Sequence, residues 1–168
     1  IVVEILEGRT RHSLMPHEAD PEAVHLHGVV ASAIQAADAD AAEAAMRSIV
    51  DDRTSQIADA RGPGRFTGAE PEPRAGMRSG HMPGARNVPF SSLSDGGSLK
   101  PLGELRRVLE ASGLDLDKPV VTTCGSGVTA AVITLALQSV GHRDNTLYDG
   151  SWSEWGGRDD TPIATGDA

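Results

Sequence analysis

"VVTTCGSGVTAAVITLAL", residues 120–137, decides the fold. Val120-Val121-Thr122-Thr123 is a β-branched, apolar run of the kind buried on both faces of a parallel sheet. The stretch from Gly127 to Gly141, GVTAAVITLALQSVG, reads as a helix with Gly141 at its end. Between them stands Cys124, the only cysteine of the 168 residues, followed at once by Gly-Ser-Gly. The thiol therefore occupies a strand-to-helix loop, and in open α/β sheets ligands sit where such loops meet beyond the carboxyl ends of the strands.

The rest of the chain repeats the same alternation. SQIADAR (55–61) is a short apolar strand, a second strand lies around Asn87-Val88, and a last one is expected at Thr146–Tyr148. PLGELRRVLEAS (101–112) sets Leu102, Leu105, Val108 and Leu109 on one helical face, with Gly113 as its stop. Upstream, residues 31–50 are Ala-rich. Asp40-Ala41-Ala42-Glu43 resembles a capping box, followed by Ala45, Met46, Ile49 and Val50 at helical spacing. Strand, helix, strand, helix, strand from residue 55 onward implies an α/β fold, an open, mostly parallel sheet flanked by helices on both faces. Residues 1–30 show no clear period and read as a leader or linker, leaving residues 31–168 as the folded domain.

Composition narrows the function. Fifteen Lys and Arg against 24 Asp and Glu give a net charge of −9, which disfavours nucleic acid and membrane surfaces as partners. The imbalance is uneven, because Arg61 to Arg86 holds five arginines against only Glu70 and Glu72. A cationic patch in an acidic chain points to a small anionic ligand. A single cysteine forms no internal disulfide and suits a reducing, cytoplasmic setting. No run reaches the ~20 apolar residues of a membrane span. Cys-x-x-Cys metal spacings are impossible here, and no metal or other cofactor is implied. His25 and His27 are spaced as ligands on a strand could be, yet no thiol or carboxylate motif completes a site.

Cys124 itself has two readings. A free cysteine is often a small core residue. Here Gly125 and Gly127 let successive backbone N–H groups curl inward as an anion-binding nest, and the following helix adds its positive N-terminal end. Both favour the thiolate, the nucleophilic form. A cysteine phosphatase needs an arginine six positions after the cysteine to clamp phosphoryl oxygens. Position 130 is Ala, so the loop suits a sulfur anion or a persulfide instead.

Four stretches, GRFTGAEPEPRAG (64–76), GHMPGARNVPF (80–90), CGSGVTAA (124–131) and YDGSWSEWGGRDDTPI (148–163), occur in one order. In these the chain resembles the C-terminal catalytic domain of the 3-mercaptopyruvate sulfurtransferases, in the rhodanese superfamily, over about residues 40–163. The Cys-Gly-Ser-Gly-Val-Thr loop sets this branch apart from thiosulfate sulfurtransferases, which favour charged residues after the cysteine. The resemblance implies that Cys124 takes sulfur from 3-mercaptopyruvate as a persulfide while pyruvate leaves. It implies that the backbone amides of Gly125, Ser126, Gly127, Val128 and Thr129 hold the charge. It implies that Arg65 and Arg74 bind the donor's carboxylate and carbonyl, a role suited to the planar guanidinium fork. The sulfur acceptor would be a thiol, such as thioredoxin or a small thiol, or cyanide.

Ser126 matches a serine that works in a Ser-His-Asp proton relay in that family; otherwise it completes a tight loop. The relay's histidine and aspartate come from the N-terminal domain of a tandem, which residues 1–30 do not resemble. A lone domain is therefore read as enzyme, as persulfide carrier or thiosulfate sulfurtransferase, or as a fragment whose exposed apolar face would self-associate. Asp59 and Arg61 are expected to fix a loop, Glu70 and Glu72 to pair with arginines, and His81 to serve a turn. Trp152 and Trp155 are expected to anchor the C-terminal segment, with Trp152 a candidate for the pocket rim.

Overall fold

The protein is described by a computed structural model over residues 38–167. The readings of residues 1–30, of the first part of the Ala-rich helix and of His25 and His27 lie outside the described residues. Four parallel strands form the main sheet: β1 (Gln56–Asp59), β2 (Arg86–Asn87), β5 (Val120–Thr123) and β6 (Asn145–Leu147), in the order β2-β1-β5-β6. A two-stranded antiparallel hairpin, β3 (Ser94–Asp95) and β4 (Ser98–Leu99), stands apart from it. The helices are α1 (Ala39–Asp52), α2 (Pro63–Thr67), α3 (Phe90–Leu93), α4 (Leu102–Ala111), α5 (Ala130–Ser139) and α6 (Ser151–Trp155).

Strand alternation sends successive residues to opposite faces. Ile57 and its register partner Val121 join Met46, Ile49 and Val50 of α1, Phe66 of α2, and Tyr148, Trp152 and Trp155 in one buried cluster. Ala58 and Val120 face the other way, into Leu93, Leu105, Leu109, Ile133 and Leu137 from α3, α4 and α5. Every residue of β5 is buried, as its continuous apolar run predicts. The Thr122 and Thr134 hydroxyls, 2.8 Å apart, satisfy each other between β5 and α5.

Both predicted helix stops hold. Gly113 (φ +86°) and Gly141 (φ +92°) follow α4 and α5 in Schellman geometry, with Leu114 N–H on Leu109 O and His142 N–H on Leu137 O. Other details differ. The cap of α1 is Asp38, whose carboxylate accepts from Ala41 N–H at 3.0 Å, rather than Asp40, which lies inside the first turn. Leu102 is exposed because the first turn of α4 projects past the core, which takes only Leu105 and Leu109 fully. The strand near 146 begins at Asn145 and ends at Leu147. The long Arg-rich loop contains α2, with Pro63 in its first turn, where the missing N–H is no loss.

Among the described residues no helix is long and apolar enough to cross a membrane, and no group of three His, Cys, Asp or Glu could hold a metal ion.

Candidate active site

β5 ends at Thr123, and the next residue, Cys124, is 1% exposed. Residues 124–129 then curl into α5. Gly127 turns the loop with φ +81°, in the left-handed region that glycine enters without strain. Around the sulfur stand the Thr129 hydroxyl and the backbone N–H groups of Ser126, Ala130 and Thr129. Burial pushes the Cys124 thiol up; these hydrogen bonds outweigh it and hold the thiol below its ordinary value. The site is built to carry a sulfur anion.

The loop's remaining polar groups are held by α6, which arrives from the end of β6. Ser151, fully buried and itself at φ +50°, accepts from both Cys124 N–H and Gly127 N–H at 3.1 Å and donates to Tyr148 O at 2.9 Å. Trp152 N–H and Ser153 N–H donate to Cys124 O and Gly125 O, each at 2.9 Å. With those carbonyls tied outward, the N–H groups of Ser126, Thr129 and Ala130 remain for the sulfur. This corrects the expectation for Gly127, whose N–H is spent on Ser151 rather than facing the thiol. Ala130 N–H takes part in its place.

A cavity of about 250 Å³ opens over Cys124, lined by the loop, by Ser153 and by Arg65, Glu72, Pro73, Arg74 and Met77 of the Arg-rich segment. That volume is smaller than drug-sized pockets, which run from about 300 Å³ upward. It suits a ligand of a few heavy atoms. Gly125 is required for the approach of Arg65, since a Cβ there would lie 2.9 Å from Arg65 Nη2. The Arg74 guanidinium donates to Ser153 Oγ at 2.8 Å, and Ser153 Oγ donates to Gly125 O at 2.6 Å. The structure thus brings Cys124, Gly125, Ser126, Val128, Thr129, Arg65 and Arg74 to one cavity. Ser126 is exposed there, and the Val128 side chain is exposed on the loop.

Behind the cavity lies a chain of charges. Asp59 receives two guanidinium nitrogens of Arg61, the shorter contact 2.6 Å. Arg61 Nη1 reaches Glu72 Oε1 at 2.8 Å, and Glu72 also receives Nε and Nη2 of Arg65. Asp59, Arg61 and Glu72 are at most 3% exposed in their side chains, while Arg65 is 29% exposed. The Arg65 guanidinium is held above its usual range, first by its hydrogen bonds to Glu72 and then by the negative charges of Glu72, Asp59 and Cys124, against the opposing effect of burial. Asp59 and Arg61 fix the loop as expected. Glu72 pairs with arginines, buried rather than exposed, whereas the exposed Glu70 packs its side chain over Gly64.

The tryptophans anchor the segment. Trp152 donates its indole N–H to Arg78 O at 2.9 Å and carries the Arg61 guanidinium over its ring at 4.3 Å, and Trp155 donates to Pro162 O at 2.8 Å. Trp152 is buried and does not reach the cavity rim. His81 stacks on Phe66 with ring centroids 3.9 Å apart and bonds Phe66 O through Nδ1. It secures α2 and stands clear of the sulfur. Ser151 and Ser153 were not singled out from the sequence; the signal lay in the quoted YDGSW stretch, but nothing in residue type marks a serine that ties down another loop.

A family model described as a rhodanese-like domain matches residues 41–158. The chain is 49% identical over 112 residues to the 3-mercaptopyruvate sulfurtransferase of Escherichia coli K12, covering 67% of this chain and 40% of that protein. It is 42% identical over 119 residues to the mitochondrial thiosulfate/3-mercaptopyruvate sulfurtransferase 1 of Arabidopsis thaliana, covering 70% of this chain and 31% of that one. Among solved structures it is similar to the Tum1 protein of Saccharomyces cerevisiae, with a TM-score of 0.67 and 35% identity, across 75% of this chain and 46% of that chain. It thus spans less than half the length of these relatives. With the family model covering most of the chain and the parallel sheet placing a cysteine loop at its carboxyl edge, the chain belongs to the rhodanese-like domain family.

Proposed function

We propose that this domain moves sulfur from 3-mercaptopyruvate to a thiol acceptor through a persulfide on Cys124. The observation that carries the reading is the Cys124 sulfur, ringed by hydrogen-bond donors, at the floor of a small cavity bordered by Arg65 and Arg74. Arg65 and Arg74 take the donor's carboxylate and carbonyl, which brings its sulfur to the thiolate. Cys124 attacks that sulfur, the S–S bond forms, and the C–S bond breaks with its electron pair left on carbon. The donor's thiol proton ends on that carbon, so pyruvate departs and Cys124 keeps a persulfide anion. A thiol acceptor, thioredoxin or a small thiol, then attacks the outer sulfur and releases the Cys124 thiolate; cyanide would do the same. The names of the relatives above support this chemistry, and a free thiolate of this kind suits a reducing, cytoplasmic setting.

The name of the Arabidopsis relative includes thiosulfate, so thiosulfate is the second donor to test. The experiment is a titration of the reduced protein with 3-mercaptopyruvate, followed by intact mass and pyruvate release, then by addition of dithiothreitol. The expected result is one added sulfur, about 32 Da, on Cys124, and repeated pyruvate release once thiol is present. Turnover that persists in Cys124→Ser would overturn the mechanism.

A further inference from the structure

We propose that Glu72 neutralises Arg65, leaves Arg74 as the one cation of the cavity wall without a carboxylate beside it, and thereby makes the domain select a monoanionic sulfur donor over a dianionic one; this rests on the sulfur-transfer reading above. Two arginines border the cavity, and their charges are not equivalent. Arg65 gives two of its nitrogens to Glu72, whose carboxylate is 3% exposed and is shared with the buried Arg61. Arg61 is in turn matched by Asp59. The four side chains Asp59, Arg61, Glu72 and Arg65 therefore sum to zero. Arg74 is exposed and donates to Ser153, a neutral hydroxyl. Asp149, exposed on the Gly127 side of the loop, and the Cys124 thiolate both add negative charge, which weighs further against a dianion.

The consequence is a difference between donors. 3-Mercaptopyruvate carries one negative charge and thiosulfate two. Without Glu72 the cavity would present two positive groups, and each negative charge on a donor would gain from the second. A charge lying within a Debye length of the ligand, in surroundings less polarisable than water, changes binding by about tenfold per ligand charge. The dianion gains that factor twice and the monoanion once, so the preference between them moves by about tenfold. Glu72 thus acts on specificity through Arg65, as a positioning and charge-setting residue, while Arg65 keeps its place as a hydrogen-bond donor beside Gly125.

Two readouts test this on the same protein. The first is the ratio of kcat/KM for thiosulfate to that for 3-mercaptopyruvate. The second needs no turnover: the ratio of the constants with which sulfate and pyruvate protect Cys124 from alkylation by iodoacetamide. Glu72→Gln is expected to raise both ratios about tenfold, with the gain shrinking as salt rises. Glu72→Asp, which keeps the charge and withdraws it by one methylene, is expected to lower both rates and leave the ratios within about twofold. Arg74→Gln, a change at an exposed side chain, is expected to lower both ratios about tenfold, and it serves if Glu72→Gln does not fold. Ratios that stay unchanged in Glu72→Gln, or in Arg74→Gln where the former is unfolded, overturn the inference. If the parent protein takes sulfur from neither donor, the sulfur-transfer reading fails; the alkylation ratios then still decide whether Glu72 sets the charge of the cavity.

Discussion

Ser151 Oγ stands 3.1 Å from the backbone nitrogens of both Cys124 and Gly127, and so ties together the two ends of the turn that carries the thiol. Its own hydrogen goes to Tyr148 O, leaving the hydroxyl fully used in a site with no exposure. Removing it leaves two buried N–H groups unpaired, at about 1–3 kcal/mol for a group left unsatisfied. Ser151→Ala is therefore expected to lower unfolding free energy by at least that amount in urea titrations. Ser151→Gly removes the same hydroxyl but relaxes the φ of +50°, so it should be the more stable of the two variants. An alanine variant as stable as the parent would mean that the serine is not what holds the loop.

The thiolate makes a second prediction with a definite sign. Cys124 is held below its ordinary thiol value by the Thr129 hydroxyl and three N–H groups, against burial. A folded value below the unfolded one adds stability that is complete above the unfolded thiol pKa and is lost as pH falls through the lowered folded value. The stability difference between the parent and Cys124→Ser should therefore grow in the parent's favour from pH 6 to pH 10 under reducing conditions. Thr129→Val removes one of the donors, and the pH profile of alkylation by iodoacetamide should move to higher pH. A profile that stays in place would remove Thr129 from the set of groups that hold the anion.

Gly125 and Gly127 were read together from the sequence as a nest, and the structure separates their roles. A Cβ at Gly125 meets the guanidinium end of the Arg65 side chain, 2.9 Å away, whereas at Gly127 it meets Asp149 Oδ1 at 2.5 Å on a backbone already at φ +81°. Gly125→Ala should displace a guanidinium rather than the backbone. We expect a several-fold rise in KM for the donor, with any loss of stability coming from a weakened Arg65–Glu72 pair rather than from the backbone. Gly127→Ala should lose about 1 kcal/mol or more from the left-handed backbone alone. Equal effects of the two changes in donor kinetics and thermal melts would show that the loop responds as one unit.

What could be read in advance followed from local rules. The apolar strand at 120–123, the glycine stops at Gly113 and Gly141 and the cysteine at a strand-to-helix junction all depend on residues near in sequence. What could not be read depends on contacts across the chain. Ser151 reaches back 27 residues to Cys124, and Glu72 is paired by Arg61 and Arg65 within a buried network whose depth no composition count reveals. Asp38 rather than Asp40 caps α1 although only Asp40 has a glutamate three residues on, because any aspartate at the turn can take the first free N–H groups and the path of the chain puts Asp38 there. Trp152, a candidate for the rim, lies inside instead, held by the cation above its ring and the Arg78 carbonyl at its N–H.

Arg61 and Arg74 offer the sharpest contrast, because the same residue type should fail in opposite ways. Arg61 is 1% exposed and bonds Asp59, Glu72 and Gly80 O, while its guanidinium lies over Trp152. Arg61→Ala leaves two buried carboxylates short of a partner, a change worth about 3–5 kcal/mol when one side of a buried pair is lost. Much of the protein should then unfold at moderate urea, and whatever folded fraction remains should still alkylate at Cys124. Arg74→Ala removes only a contact to Ser153 at the edge of the cavity. Its melting temperature should stay near the parent's while KM for the donor rises tenfold or more, the order expected for a charge-assisted hydrogen bond to a carboxylate. If Arg74→Ala melted early, or Arg61→Ala stayed folded and lost only donor affinity, the division between a structural arginine and a donor-binding one would have to be reversed.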